Sequence, residues 1–199
     1  MHDNPAAAQG PVFTLSRHRV VALSGRDSIA FPQAQFMSDV AALASGHWHW
    51  SGWLTPKGRV IALFALLRIE ADALWLLFAD ADADAVATRL RGFVFRSKVA
   101  IDVRDDLGVS AAFDALRAAR DADIAQLADG RIELDFGGDG GARVAWIPQR
   151  TQTEAPEDAG AVLRWTQADF AHGLPWLGKQ AEQWTPQQLV QIAVSHPPS

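Results

Sequence analysis

The chain has 199 residues and a mass of 21.6 kDa, with 49% hydrophobic and 21% charged residues, the composition of an ordinary folded protein. A net charge of -5 excludes wrapping nucleic acid by charge alone, because phosphate binding needs clustered Lys and Arg. The absence of cysteine excludes disulfides, thiolate metal ligands and thiol nucleophiles together.

The longest apolar run, Val60 to Leu67, ends at Arg68, far short of the roughly 20 residues that span a bilayer. The start, Met1-His2-Asp3-Asn4-Pro5, has neither the basic nor the apolar region of a secretory signal, so a cytoplasmic protein with no membrane association is expected.

In chain order, His18 to Leu23 reads as a short strand. Asp27 to Leu43 then carries apolar residues nearer to helical than to strand spacing, with Asp27 or Ser24 as the N-cap. Pro32 is expected to make the first turn irregular, since a proline beyond the first turn removes a helix hydrogen bond. Three strands follow, at Trp48 to Leu54, Arg59 to Ile69 and Ala73 to Ala79, rich in bulky residues and separated by turn chemistry. A helix over Ala83 to Arg91, capped by Gly92, and a strand at Val99 to Val103 complete the first half. This order is neither regular βαβ alternation nor all-β, and it predicts an α+β layer fold.

The second half, from residue 105, predicts a helix from about Ser110 to Arg120. Strands at Ile132 to Phe136 and Ala142 to Ile147 flank the run Gly137 to Gly141, which reads as a hairpin connection. Thr151 to Gly160 reads as an exposed loop, Ala161 to Trp165 as a strand, and Ala168 to His172 as a short helix. The domain division expected is 1–104 and 105–199. His47-Trp48-His49-Trp50 puts two histidines on one strand face, which is too few for a metal site, and no metal is expected.

The motifs with chemical content are Leu23-Ser24-Gly25-Arg26-Asp27-Ser28, then Gln33, Gln35 and Asp39-Val40, then Thr55-Pro56-Lys57-Gly58-Arg59, then Phe95 with Ser97-Lys98-Val99. The third reads as a small anion cradle: a rigid turn feeding two cations and a glycine into a strand. Trp165, followed by Gly173-Leu174-Pro175 and Thr185-Pro186-Gln187, completes the set.

In the order and spacing of these pieces the chain resembles the YgfZ family of folate-binding proteins, which is similar in fold to the aminomethyltransferase of the glycine cleavage system. The resemblance implies an aminomethyltransferase-like fold of two sheet-plus-helix subdomains. It also implies a tetrahydrofolate or other reduced-folate ligand held between them, and a link to iron–sulfur proteins and tRNA modification. Trp165 falls on a tryptophan that the family sets against the ligand, and a second such tryptophan would fall at His18. A folate needs an aromatic wall, amides for its pterin edge and cations for its glutamyl tail. Gln33 or Gln35 can read the edge and Lys57 or Arg59 can hold the carboxylates. With Lys98 of the fourth motif, these are the expected folate-binding residues, and no catalytic residue is expected.

Family members continue after the Pro-Gln pair into a Lys-Gly-Cys-Tyr-x-Gly-Gln-Glu motif and a β-barrel domain, neither of which is in this chain. The expectation is therefore a truncated member, impaired by loss of the motif cysteine, with an open sheet edge that promotes self-association. The alternatives are a tetrahydrofolate-dependent aminomethyltransferase-like enzyme and an inactive remnant. Against the enzyme, the aspartates that aminomethyltransferases carry after the glycine turn fall on Ala62 and Leu63.

Overall fold

A computed structural model of the chain describes residues 10–137, 142–149, 155–172, 174, 177 and 183–188. Its elements are β1 (Phe13–Thr14), β2 (Arg19–Ser24), α1 (Ala30–Gln33), β3 (His47–Leu54), β4 (Val60–Glu70), β5 (Ala73–Phe78), α2 (Ala83–Arg91), β6 (Ala100–Val103), β7 (Ser110–Ala112), β8 (Ile124–Gln126), β9 (Ile132–Asp135), β10 (Val144–Ile147) and α3 (Ala159–Ala171). Two antiparallel sheets result, one in the order β3-β4-β5-β2-β6 and one in the order β1-β7-β10-β9-β8. The architecture is α+β, as expected, and neither sheet closes into a barrel among the described residues.

The first sheet is buried on both faces, which explains why β4 reads as continuous apolar sequence rather than as an alternation. On one face Val21, Leu23, Phe64, Leu66, Leu74 and Leu76 pack under Val86, Ala87 and Leu90 of α2. On the other, Val20, Trp48, Ala65, Leu67 and Leu77 meet Ala111, Ile132, Leu134, Ala145 and Ile147 of the second sheet. Helix α2 starts where the Asp82 carboxylate accepts from the Ala85 N–H (3.0 Å) and stops at Gly92, as expected.

Three sequence expectations are corrected. The helix expected over 27–43 shrinks to the single turn of α1, with Pro32 inside it. No side chain caps it, and the Asp27 carboxylate instead accepts from the Lys98 N–H (2.6 Å). The helix expected over 110–120 is not formed: Ser110 to Ala112 are β7, and the chain beyond turns around Glu133. One Glu133 oxygen accepts from the N–H groups of Arg117 (2.9 Å), Ala118 (2.7 Å) and Ala119 (3.0 Å), so a side chain from β9 takes the donors a helix would have used. Finally, Ala161 to Trp165 are not a strand but the first half of α3, whose N-cap Asp158 accepts from the Ala161 N–H (2.9 Å).

The other predicted strands and helix α2 lie within two residues of their expected bounds. The short strands β1, β7 and β8 carry too few residues for a periodicity to register. The antiparallel β9–β10 pairing agrees with the expected hairpin, while most of its glycine run, 138–141, lies outside the described residues.

The buried Glu133 also accepts from the Trp146 indole N–H (2.9 Å). Burial pushes its carboxyl up from 4.5, but the three backbone donors and the indole outweigh it, and the net shift is downward. A depressed native value means that this stabilisation is complete above the unfolded-state value and is lost as pH falls through the native one. Glu133→Gln is expected to cost about 1.5–3 kcal/mol at pH 7 and to flatten the decline in stability below pH 4.5; urea unfolding across the acid range measures both.

Candidate functional site

The residues with unusual chemistry gather where α3 closes one end of the gap between the sheets. Trp165 and Asp169, one turn apart on α3, both face inward and are 0% and 3% exposed. Arg143, just before β10, is also buried and forms an ion pair with Asp169, while its guanidinium carbon lies 4.2 Å from the Trp165 ring centroid. The cation is thus held between a carboxylate and an aromatic face, the arrangement that makes a buried charge tolerable. Behind it, the Trp165 ring is enclosed by Phe13, Phe113 and Phe136 at centroid distances of 6.1, 5.8 and 5.5 Å.

His18 lies in the turn between β1 and β2, its N–H donating to the Leu15 carbonyl (2.9 Å), and is 4% exposed. Burial first, then the Arg143 and Arg17 charges, lowers its pKa from 6.5 to about 3, so the ring is neutral at physiological pH. It borders a small cavity together with Trp50, Leu63, Asp80, Phe136, Asp169 and Leu174. The cavity volume is about 30 Å³, room for one or two waters. On the far side His18 borders a second cavity of about 180 Å³, lined by Thr14, Ser16, Ser110, Gln149 and Glu157. Trp50, 38% exposed, stands at the mouth of the first, with Phe136 edge-on to it at 5.4 Å.

Of the residues expected from sequence, the fold brings two to this place. His18 lines it; Trp165 does not line the cavity but packs behind it against Phe136 and under Arg143, without an exposed ring face. Gln33 and Gln35 sit on and just after α1, where the Gln33 side-chain Oε1 accepts from the Ala41 N–H (2.8 Å). Lys98 is exposed, and its backbone bonds to Asp27.

Lys57 and Arg59 are exposed at the β3–β4 turn. The donors of that turn are occupied: the Gly58 N–H bonds the Thr55 carbonyl (2.8 Å) and the Arg59 N–H the Thr55 hydroxyl (3.0 Å), with Gly58 at φ 73°. The Gly58 and Arg59 N–H groups are therefore used within the turn, and the charged groups it presents are the exposed side chains of Lys57 and Arg59. Arg59 donates to the Gln183 carbonyl (2.9 Å). The turn touches the cavity indirectly, through Leu63, which packs with Val60, Leu54, Leu177 and Trp184.

Two motifs explain each other. Gly25, at φ 113°, would place a Cβ 2.7 Å from the Lys98 carbonyl, so the Ser24-Gly25-Arg26-Asp27 and Ser97-Lys98 segments interlock as a structural clasp.

The residues missed by sequence reading are Arg143, Asp169, Trp50, Phe136 and Asp80. Asp169 was recoverable, since four residues after Trp165 on a helix is the same face; reading that segment as a strand hid it. Among the described residues no group of three or more His, Cys, Asp or Glu could hold a metal. Likewise no described helix is long and apolar enough to cross a membrane.

No family profile matches the chain. Over 92 residues it is 28% identical to an uncharacterized protein of Haemophilus influenzae, covering 46% of this chain and 33% of that protein. Its structure is similar to the glycine cleavage system aminomethyltransferase T from Bartonella henselae, with a TM-score of 0.62 and 14% identity over 79% of this chain. The fold is aminomethyltransferase-like. The chain spans 45% of that enzyme's length.

Two outcomes follow from the buried charges. Arg143→Met leaves Asp169 without its cation and is expected to cost about 3–5 kcal/mol in chemical denaturation, most of it regained in the double variant Arg143→Met/Asp169→Leu. Because the native His18 value lies below the unfolded one, its contribution to stability is complete above pH 6.5 and declines as pH falls towards about 3. An NMR titration is expected to show the His18 ring unprotonated down to pH 4.5.

Proposed function

We propose that this chain is a reduced-folate-binding module of the YgfZ type, taking tetrahydrofolate or a one-carbon derivative at the cleft between the two sheets. The observation that carries the reading is the convergence, in an aminomethyltransferase-like fold, of Trp50, Phe136, neutral His18 and the anchored Asp169 carboxylate on one cavity. A pterin presents a flat ring and a hydrogen-bonding edge with amide and amino donors. An aromatic rim and a carboxylate are complementary to both. At about 30 Å³ the cavity is smaller than a pterin, so binding requires Trp50 and Leu174 at its mouth to move outward.

The glutamyl tail then runs past Leu63 towards Lys57 and Arg59. Gln33, Gln35 and Lys98 lie away from this path and belong to the proposal only through the family motifs. The family's connection to iron–sulfur proteins and tRNA modification is carried over on the same resemblance. Since the chain has no cysteine, any thiol step falls to a partner. Self-association through an open sheet edge is the remaining partner proposal.

A second reading, one-carbon transfer, draws support from one observation. The reaction needs a carboxylate near the reacting nitrogen, and although β4 offers Ala62 and Leu63, Asp80 and Asp169 both reach the cavity. Production of a methylene derivative from tetrahydrofolate and an aminomethyl donor, lost in Asp80→Asn, would favour it.

Titration with 5-formyltetrahydrofolate, followed by intrinsic tryptophan fluorescence, tests the binding reading. Saturable quenching is expected, with Trp50→Ala weakening affinity about tenfold and Lys57→Ala/Arg59→Ala weakening a polyglutamate more than a monoglutamate. Trp165→Ala is expected to act through stability, costing about 3–5 kcal/mol. Absence of any saturable response in the wild-type chain would defeat the proposal.

A further inference from the structure

Strand β3 carries a second constellation of chemical groups. The His49 Nε2 is 2.9 Å from the Ser38 hydroxyl, which is in turn 2.6 Å from the hydroxyl of Ser51. His49 and Ser51 alternate with Trp48 and Trp50 along the strand and so share its other face. Ser38 comes from the segment after α1, anchored beside β3 by the Met37 N–H, which donates to the Gly52 carbonyl (3.0 Å). Ser51 is buried, whereas Ser38 and His49 are half-buried and line a shallow groove of about 580 Å³ together with Asp39, Leu43 and Trp50.

These bonds have a chemical direction. With its ring proton on Nδ1, His49 accepts from Ser38, and the Ser38 oxygen is left to accept from Ser51. Burial lowers the His49 pKa below 6.5 while the Asp39 carboxylate opposes that shift, so the ring is neutral at physiological pH, the form that takes up a proton. An oxygen placed between a neutral imidazole and a hydroxyl donor can lose its proton to the first while the second holds the charge that develops. The Trp50 N–H turns away from β4, as the Trp48 N–H does in donating to the Ala122 carbonyl (2.8 Å), and it has no hydrogen-bond partner among the described residues.

We propose that Ser38, activated by His49, is a nucleophile that takes the acyl group of a small neutral ester in this groove. The Ser38 oxygen bonds to the acyl carbon as its proton passes to His49 Nε2, and the Trp50 N–H is the donor at hand for the oxyanion. The bond from the acyl carbon to the leaving oxygen then breaks, and that oxygen takes the proton from His49. Water next attacks the acyl carbon, giving a proton to the same nitrogen; the acid leaves and Ser38 takes the proton back. Asp39 is exposed at the rim, with its Oδ1 accepting from the Ala42 N–H (3.1 Å), and it repels a substrate that carries a carboxylate. Leu43 and Trp50 give the apolar part of the ester its contact. A single backbone donor predicts a slow reaction confined to activated esters. The reaction is independent of folate, which is absent from its test.

The test uses the whole chain with 4-nitrophenyl acetate and, separately, with an alkyl fluorophosphonate, whose fluoride the same oxygen displaces to leave a stable adduct. Nitrophenolate release gives the rate, and peptide mass spectrometry locates the phosphonyl group. A single adduct is expected, at Ser38, in the folded chain and none in the urea-unfolded chain, where the serine has no base beside it. Ser38→Ala is expected to abolish the adduct and His49→Gln to slow both reactions at least about tenfold. His47→Gln, on the same strand, is expected to leave both rates unchanged.

No adduct in the folded wild-type chain with reagent up to about 1 mM, or an adduct confined to another residue, would overturn the proposal. So would labelling of Ser38 at equal rates in the folded and the urea-unfolded chain, or in wild type and His49→Gln, either being the sign of a serine without an activating base.

Discussion

One guanidinium holds the two-sheet body to its third helix. Arg143 comes from the start of β10, the central strand of the second sheet, pairs with Asp169 on α3 and covers the face of Trp165, which is itself surrounded by phenylalanines of the intersheet core. A charge in such a place is costly unless its partners are in position, so the orientation of α3 and the closure of the sheets are coupled. The same positive charge acts with burial to keep His18 neutral, which makes the cavity wall uncharged opposite a fixed carboxylate.

The first sheet supplies the rigid frame for this arrangement. Because both of its faces are covered, by α2 on one side and the second sheet on the other, β4 and β5 cannot slip register without moving apolar side chains across two interfaces. Its outer strand β3 is the exception. It lies at the sheet edge, and its Trp50 lines both the intersheet cavity and a shallow groove.

The fold was largely legible. Bulky strands separated by Asp, Gly and Pro turns, and an Asp-capped helix ending at glycine, are signals local to a few residues, and they placed β2 to β6 and α2. Reading failed where a distant group supplied what local sequence lacked. Residues 113–120 have helical composition, yet Glu133 on another strand captures their amides. Ala161 to Trp165 has strand-like bulk, yet Asp158 starts a helix there. For the site, Trp165 lies behind Arg143 without an exposed ring face, and His18 is a neutral group lining the cavity. Lys57 and Arg59 were selected by type, and their turn satisfies itself through Thr55.

By itself the sequence determined β2 to β6, α2, the β9–β10 pair and the α+β character, because hydrophobic periodicity, capping and turn residues act over a handful of neighbours. It also determined what chemistry is excluded, since a chain without cysteine has no thiol wherever it folds. Only the tertiary structure decided which polar residues meet. Arg143, Asp169, His18 and Trp50 are far apart in the chain, and their energies depend on burial and mutual distance, quantities that exist only once the two sheets have packed.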